Sequence, residues 1–154
     1  MTIRPGDPAP PFNLPDSDRV PVSLADHAGS RAVLIVFYPF AFSGICTGEL
    51  NAVRDDLATF QNDRVQVLAI STDPTFALKG WAKAQRFEFP LLSDFWPHGE
   101  VASAYGVFNE QAGMAVRGTF LIDKDGTVAF VEVNGPGEPR DQAAWKRAVA
   151  ALPA

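Results

Sequence analysis

The chain of 154 residues contains one cysteine, Cys46, and its thiol is the most reactive side chain that the sequence offers. A lone cysteine forms neither an internal disulfide nor a thiolate zinc site. The two histidines, His27 and His98, are too few and too far apart in sequence to indicate a metal cluster. Redox chemistry at Cys46 therefore uses a single sulfur and is completed by a partner from outside the chain.

The residues around Cys46 predict a helix that begins beside it. Ser43 is a residue type that caps helix N-termini, and the unpaired backbone N–H groups of a first helical turn favour a thiolate. Residues 39–45 (Pro-Phe-Ala-Phe-Ser-Gly-Ile) predict a tight, largely apolar loop that holds a pocket open at the helix end. The apolar residues that share one helical face are Cys46, Leu50, Val53, Leu57 and Phe60.

Three other interpretations of Cys46 are weighed against a reactive thiol. A buried structural thiol fits the apolar stripe, because free cysteine is often a small apolar filler. Dithiol chemistry of the thioredoxin type is excluded, since Glu49 stands where the second cysteine of Cys-x-x-Cys belongs. A Cys–His hydrolase needs His27 or His98 as its base, but both lie among loop residues without an oxyanion signature.

A reactive thiolate also needs a nearby cation, and the sequence offers Arg117 just before a Gly-Thr-Phe strand. Distance in sequence says nothing about distance in space, so Arg117 is equally a solvated side chain at a strand start. Glu49, one helical turn after Cys46, reads by default as an exposed helix charge. The residues alone leave these alternatives open.

The elements that position Cys46 follow from hydrophobic patterning. The proline-rich first 25 residues favour an edge hairpin or an extended arm. Residues 32–38 and 65–70 predict buried strands on either side of the Cys46 helix. The later predicted elements are a helix over 76–87, a short segment over 89–92, a short helix over 99–105, hairpin strands over 118–123 and 127–133, and a last helix capped by Asp141. This order predicts one α/β domain over residues 1–154, with a thioredoxin-like fold in which helices flank a central mixed β-sheet behind an N-terminal extension.

Composition excludes several classes of function. Hydrophobic residues make up 47% of the chain and charged residues 20%, which is a globular mixture. The net charge of −5 argues against binding to nucleic acid or to anionic lipid. The longest apolar run, over 32–42, is too short for a membrane span, and the first residues show no apolar leader. We therefore expect a cytoplasmic protein with neither nucleic-acid nor membrane partners.

The spacing of Pro39, Ser43 and Cys46 resembles the peroxiredoxin active-site motif, Pro-x-x-x-Thr/Ser-x-x-Cys. Further blocks similar to that family lie in the same order over residues 6–14, 89–94, 105–107 and 117–123. The stretches 40–46, 93–99 and 105–113 are similar to the one-cysteine, actinobacterial alkyl hydroperoxide reductase E subgroup. The resemblance covers nearly the whole chain. It implies a thiol-dependent peroxidase that needs no metal or organic cofactor.

The resemblance also implies a role for each matching residue. Cys46 is expected to attack peroxide and become a sulfenic acid. Arg117 is expected to keep the sulfur ionised and hold the peroxide, while Ser43 forms hydrogen bonds with the reacting oxygens. Pro39 is expected to shield the sulfenic acid from water, and Glu49 to orient Arg117.

Departures from the family pattern bear on recycling more than on attack. Ser43 replaces the usual threonine, and Leu78 stands where many members have histidine. The missing second cysteine is the consequential change, because an external thiol must then reduce the sulfenic acid. The resemblance implies a low-molecular-weight thiol, a glutaredoxin-like protein or both as donor, and a homodimer or higher homo-oligomer. A peroxide sensor that relays oxidation and an interaction module without turnover are the alternatives.

Overall fold

The computed structural model describes residues 3–153, and a five-stranded β-sheet forms its centre. The strands are β1 (Asn13–Pro15), β2 (Pro21–Ser23), β3 (Ala32–Phe37), β4 (Val65–Ser71), β5 (Leu91–Ser93), β6 (Phe108–Asn109), β7 (Met114–Ala115), β8 (Arg117–Ile122) and β9 (Val128–Asn134). The helices are α1 (Gly44–Asp55), α2 (Leu57–Phe60), α3 (Thr75–Gln85), α4 (Glu100–Ala104) and α5 (Gln142–Ala150), with a 3-10 turn over Leu24–His27.

The central sheet has the strand order β5-β4-β3-β8-β9. Strands β3, β4 and β5 run parallel, whereas β8 is antiparallel to β3 and β9 is antiparallel to β8. A turn at residues 124–126 joins β8 to β9, and Gly126 takes a φ of 86° there. This is the mixed sheet and closing hairpin that the sequence predicted, so the thioredoxin-like fold is confirmed.

The strand β3 is buried along its whole length because layers pack on both of its faces. On one face, Leu34 and Val36 pack with apolar residues of α1, α3 and α5, including Leu50, Trp81 and Trp145. Residues of the other face pack against α4 and the N-terminal segment. Cys46 belongs to the first of these layers, so the N-terminal turn of α1, which carries the thiol, packs against the sheet.

The structure differs from the sequence prediction at two places. The apolar stripe that begins at Cys46 is shared by two helices, because the chain leaves helical geometry at Asp56 (φ −127°, ψ 36°). The Asp56 carboxylate accepts a hydrogen bond from Thr59 Oγ1 at 2.8 Å and contacts Lys146 Nζ at 2.7 Å, so it serves α2 and α5 rather than continuing α1. The two-residue strands β6 and β7 were not predicted, since so short a hairpin leaves no periodic signal.

The N-terminal segment forms the hairpin that the proline-rich sequence favoured. Strands β1 and β2 pair antiparallel, with Leu14 opposite Val22, and the buried Phe12 and Leu14 contribute to the core beside α4. Within residues 3–153, no helix is long and apolar enough to cross a membrane.

Candidate active site

Cys46 lies in the first turn of α1, immediately after the loop that follows β3. The helix is capped by Ser43, which has extended backbone geometry and whose Oγ accepts a hydrogen bond from the Cys46 backbone N–H at 3.3 Å. The predicted helix start and its cap are therefore confirmed. Cys46 itself is only 2% exposed, so its sulfur faces the interior rather than an open pocket.

Glu49 follows Cys46 by one helical turn and bonds directly to Arg117. The Glu49 carboxylate accepts a hydrogen bond from Arg117 Nε at 3.2 Å and a second from Arg117 Nη2. The two side chains are 14% and 6% exposed, so this pair lies largely out of water. The interpretation of Glu49 as an exposed helix charge and that of Arg117 as a solvated side chain are both wrong.

Sheet register explains how Arg117 reaches the helix that carries Cys46. Strand β8 runs antiparallel to β3, and Val36 near the end of β3 lies opposite Thr119 near the start of β8. The first residue of β8, Arg117, therefore lies at the same sheet edge as the loop between β3 and α1. Its Nη1 also donates to the backbone carbonyls of Gly135, at 3.3 Å, and Glu138.

A second arginine, Arg140, completes this cluster and was missed by the sequence analysis. Its Nε donates to Glu49 Oε1 at 3.2 Å, and its side chain is 1% exposed. The same guanidinium donates to the carbonyl of Gly118 at 3.2 Å, to Thr119 Oγ1 at 3.0 Å and to the carbonyl of Phe37. Arg140 therefore joins β3, β8 and α1.

One local feature of the sequence points to a buried partner for Arg140. It directly precedes Asp141, which caps α5 by accepting a hydrogen bond from the Ala144 N–H at 3.0 Å. A cation beside a helix N-terminus is disfavoured by the helix dipole, so an arginine there implies a compensating partner. The partner, Glu49, lies 91 residues away in sequence, which local patterning does not reveal.

The cluster carries more positive than negative charge. Two guanidinium groups share the one carboxylate of Glu49, so one positive charge is left over next to the first turn of α1. Burial lowers the pKa of Arg140, an effect opposed by the nearby charges of Glu49 and Cys46 and reinforced by that of Arg117. An anion on Cys46 therefore favours the charged form of Arg140.

Two further residues lie between β3 and the helix that carries Cys46. Pro39, which is partly buried, lies near the start of the loop between β3 and α1, as the motif requires. Tyr38 is fully buried, and burial, with smaller contributions from the charges of Asp73 and Cys46, raises the pKa of its hydroxyl. The Tyr38 side chain is thus a neutral group in the wall beside Cys46.

The histidines take no part in this cluster. His27 Nδ1 lies 3.3 Å from Arg31 Nη2, and the ring nitrogens of His98 lie 3.0 Å from the carbonyl of Phe95 and 2.7 Å from that of Gly113. These contacts oppose the Cys–His hydrolase interpretation. Across the described part of the chain, no group of three or more His, Cys, Asp or Glu side chains is placed to hold a metal ion.

Two cavities of about 160 and 170 Å³ lie at the far end of the sheet from Cys46. Both are lined by Asp123 and Lys124, in the turn between β8 and β9, and neither is lined by a residue of the cluster around Cys46. Cys46, Glu49, Arg117 and Arg140 themselves are largely buried.

Comparison with known proteins identifies the chain. Residues 5–131 match the profile of the AhpC/TSA family. Alkyl hydroperoxide reductase E of Mycobacterium tuberculosis (strain ATCC 25618 / H37Rv) is 54% identical over 149 residues, which cover 97% of this chain and 97% of that protein. The chain belongs to the peroxiredoxins. It is thus a peroxidase of the thiol-dependent class, as the spacing of Pro39, Ser43 and Cys46 indicated.

Solved structures of other peroxiredoxins share this fold over almost the whole chain. The crystal structure of peroxidoxin BcpB from Mycobacterium tuberculosis superimposes with a TM-score of 0.87 at 32% identity, covering 99% of both chains. That of AhpC from Enterococcus faecalis gives a TM-score of 0.86 at 28% identity, covering 98% of this peroxiredoxin and 92% of the other chain. This peroxiredoxin therefore shares its overall framework, including the mixed sheet and the helix that carries Cys46, with those two proteins.

The charge cluster predicts a large effect for one conservative substitution. Glu49→Gln removes the negative charge between two buried guanidinium groups while keeping the shape of the side chain. Breaking a buried ion pair from one side costs about 3–5 kcal/mol, because an uncompensated charge stays buried. We expect the free energy of unfolding, measured by urea denaturation, to fall by about that amount.

The matched control lies on the same helix. Asp55 pairs with Arg54 at 2.9 Å, but its side chain is 67% exposed. Asp55→Asn is therefore expected to change the unfolding free energy by less than about 1 kcal/mol. Equal effects of Glu49→Gln and Asp55→Asn would contradict the account of Glu49 as the counter-charge of a buried cluster.

Proposed function

We propose that this peroxiredoxin reduces hydrogen peroxide and organic hydroperoxides through Cys46 alone, and that an external thiol recycles it. The observation that carries the proposal is the position of the only cysteine in the chain. It lies in the capped first turn of α1, one turn from a carboxylate that holds two buried arginines. This places a sulfur nucleophile beside an excess of positive charge in a site nearly closed to water.

The oxidising half-reaction follows from thiol chemistry. The Cys46 thiolate attacks one peroxide oxygen, an S–O bond forms, and the O–O bond breaks. The electron pair of that bond leaves with the distal oxygen, which takes up a proton and departs as water or alcohol. The sulfur has then given up two electrons and carries a sulfenic acid. No metal or organic cofactor is needed, because the sulfur itself is the electron donor.

The site residues divide this work among them. Arg117, whose positive charge is partly offset by the Glu49 carboxylate, stabilises the thiolate and the negative charge that develops on the leaving oxygen. The Ser43 oxygen accepts a hydrogen bond from the Cys46 N–H, and in this proposal its hydroxyl donates to a reacting oxygen. Pro39 closes the loop over the sulfur and limits the access of water. Arg140 donates to the same oxygen of Glu49, Oε1, as Arg117 does, and is a positioning residue.

Recycling requires two equivalents of thiol from outside the chain. The first thiolate attacks the sulfenic sulfur, hydroxide leaves and is protonated to water, and a mixed disulfide forms. A second thiol attacks the donor's sulfur in that disulfide and releases Cys46 as the thiolate. A low-molecular-weight thiol, a glutaredoxin-like protein or both act as the donor. We also propose that the protein works in the cytoplasm, where such thiols are kept reduced. We propose that residues 1–154 form a single domain.

The central test is stopped-flow tryptophan fluorescence of the reduced protein mixed with peroxide. We expect a fast signal change that is absent in Cys46→Ser, together with a sulfenic acid trapped at Cys46. Ser43→Ala is expected to slow the reaction about 100-fold, the loss typical of one oxyanion donor, whereas Ser43→Thr keeps the hydroxyl and the rate.

The rate of oxidation, the rate of recycling by small thiols and a titration of Cys46 together separate the two alternatives. A peroxide sensor would show fast oxidation of Cys46 but poor recycling by small thiols. An interaction module would react with peroxide no faster than a free thiol. Titration of Cys46 would then give the pKa of an ordinary thiol. Either result would contradict turnover as the function of this chain.

Exposed apolar side chains at the site predict a preference among peroxides. Phe40, Phe42 and Ile45 are 45%, 61% and 55% exposed on the loop and helix start that surround Cys46. These side chains favour the hydrocarbon part of organic or fatty-acid hydroperoxides over hydrogen peroxide. We expect a larger second-order rate constant for a fatty-acid hydroperoxide than for hydrogen peroxide.

Substitution at the loop tests the source of that preference. Ile45→Ser is expected to lower the rate constant for the fatty-acid hydroperoxide about 10-fold while leaving that for hydrogen peroxide unchanged. Val133→Ser, at an equally exposed position on β9, is the control and is expected to change neither. An equal or reversed preference in the unmodified protein would exclude apolar selection.

We propose further that two copies of the chain form a homodimer through the face around the site. Phe76, Phe95 and Trp96 are 72%, 48% and 81% exposed, and they follow the ends of β4 and β5 at the same sheet edge as Phe42. So large an exposed aromatic group is typical of an interface. Sedimentation equilibrium is expected to give a dimer that Trp96→Glu dissociates. If Val133→Glu dissociates it instead, pairing through the free edge of β9 replaces this proposal.

A further inference from the structure

The loop between β3 and α1 is tied to the neighbouring strand β4 at two places. At its start, the Tyr38 N–H donates to the carbonyl of Ile70 at 3.1 Å, which continues the pairing of β3 with β4. In its middle, the Ala41 N–H donates to Oδ2 of Asp73 at 2.8 Å. Asp73 lies just after β4, outside the motif that carries the chemistry. The loop that leads to Cys46 is therefore fastened to a carboxylate on another element.

The Asp73 carboxylate is itself held in a fixed position. Ser71, fully buried at the end of β4, donates its hydroxyl to the same Oδ2 at 2.7 Å. The main-chain carbonyl of Asp73 accepts a hydrogen bond from Ser93 Oγ, at the end of β5, at 2.6 Å. Two strand ends thus anchor the group that receives the Ala41 N–H, so the sheet sets the position of the loop.

The loop needs such an anchor because part of its backbone is unfavourable. Phe42 takes a φ of 69°, in the left-handed region that side chains other than glycine rarely adopt. Its ring is 61% exposed and packs only at the edge of the layer, with its centroid 6.2 Å from that of Trp81. Left to itself, this segment has a conformational reason to leave its present geometry.

The two half-reactions make opposite demands on this loop. The peroxide group is small, even on a long-chain hydroperoxide, and it reacts at a closed site in which the charges are held in place. The donor thiol must bring its own sulfur into line with the sulfenic sulfur, yet Cys46 is only 2% exposed. The loop must therefore be closed for oxidation and displaced for recycling.

We propose that Asp73 is a positioning residue that fastens the active-site loop over Cys46 through the Ala41 amide. The bond favours the closed geometry in which peroxide reacts and limits the entry of larger reagents to the sulfur. Its role in catalysis rests on the proposed peroxidase function. Its effect on the accessibility of Cys46 does not, because any reagent for a thiol reports it.

Three variants isolate this bond. Asp73→Ala removes the acceptor, whereas Asp73→Asn supplies an amide oxygen that receives the same two donors. Asp123→Ala is the matched control: one oxygen of Asp123 likewise accepts two hydrogen bonds, from the backbone N–H groups of Asp125 at 2.9 Å and Thr127 at 3.0 Å. Asp123 follows the end of β8, at the sheet edge opposite to Cys46.

The first measurement is the rate at which iodoacetamide alkylates Cys46 in the reduced protein. We expect Asp73→Ala to raise this rate about 10-fold, the factor typical of a lost hydrogen bond to a charged acceptor. Asp73→Asn and Asp123→Ala are expected to stay within about 2-fold of the unmodified protein. A rise that is equal in Asp73→Ala and Asp123→Ala, or absent in Asp73→Ala, would overturn the proposal.

The second measurement follows the two half-reactions separately. In Asp73→Ala, we expect slower oxidation by peroxide but faster attack of an external thiol on the oxidised protein, with Asp73→Asn restoring both rates. A general loss of structure would not slow one half-reaction and speed up the other, and Asp73→Asn would not restore both rates. If Asp73→Ala does not fold, Ser71→Ala, which keeps the carboxylate but removes one of its supports, is expected to raise alkylation by a smaller factor, and no rise would overturn the proposal. Failure of the unmodified protein to react with peroxide would refute the proposed function, while the alkylation rates would still decide the role of Asp73.

Discussion

The buried contact of one carboxylate with two guanidinium groups is the constraint around which the site is built. Glu49 lies on α1, Arg117 begins β8 and Arg140 precedes α5, so the cluster ties three separate elements together. Buried charges are tolerated only when they are paired and hydrogen-bonded, and here carbonyl groups of Phe37, Gly118 and Gly135 take the remaining donors. The surplus positive charge at Cys46 is thus a consequence of how the fold is closed.

The fold could be predicted because its signals are local. The continuous apolar run at 32–38, the serine ahead of the Cys46 helix and the Lys-Asp-Gly turn at 124–126 each specify an element from a few neighbouring residues. The break at Asp56 could not be predicted, because it depends on Thr59 and on Lys146, the latter 90 residues further along the chain. Tertiary contacts therefore end α1 at Asp55, although the apolar stripe continues in the sequence.

The candidate site was predictable only in part. Pro39, Ser43 and Cys46 follow one another closely, so their spacing is itself the motif. The contact between Glu49 and Arg117 was expected from resemblance, and sheet register supplies its physical reason, since an antiparallel β8 starts where β3 ends. Arg140 and Asp73 escaped notice because each acts through a partner on another element. Single-sequence patterning describes a residue's neighbours along the chain, and these two have their important neighbours in space.

The shared carboxylate has an evolutionary consequence. Because Glu49 neutralises one guanidinium while leaving the other charge in excess, loss of any one member of the trio changes the charge balance that the other two experience. Substitutions at residues 49, 117 and 140 are therefore epistatic, and a lineage that exchanges one of them passes through a destabilised intermediate. We therefore expect a change at one of these positions to be accompanied by a change at another, even though residues 49 and 140 are far apart in sequence.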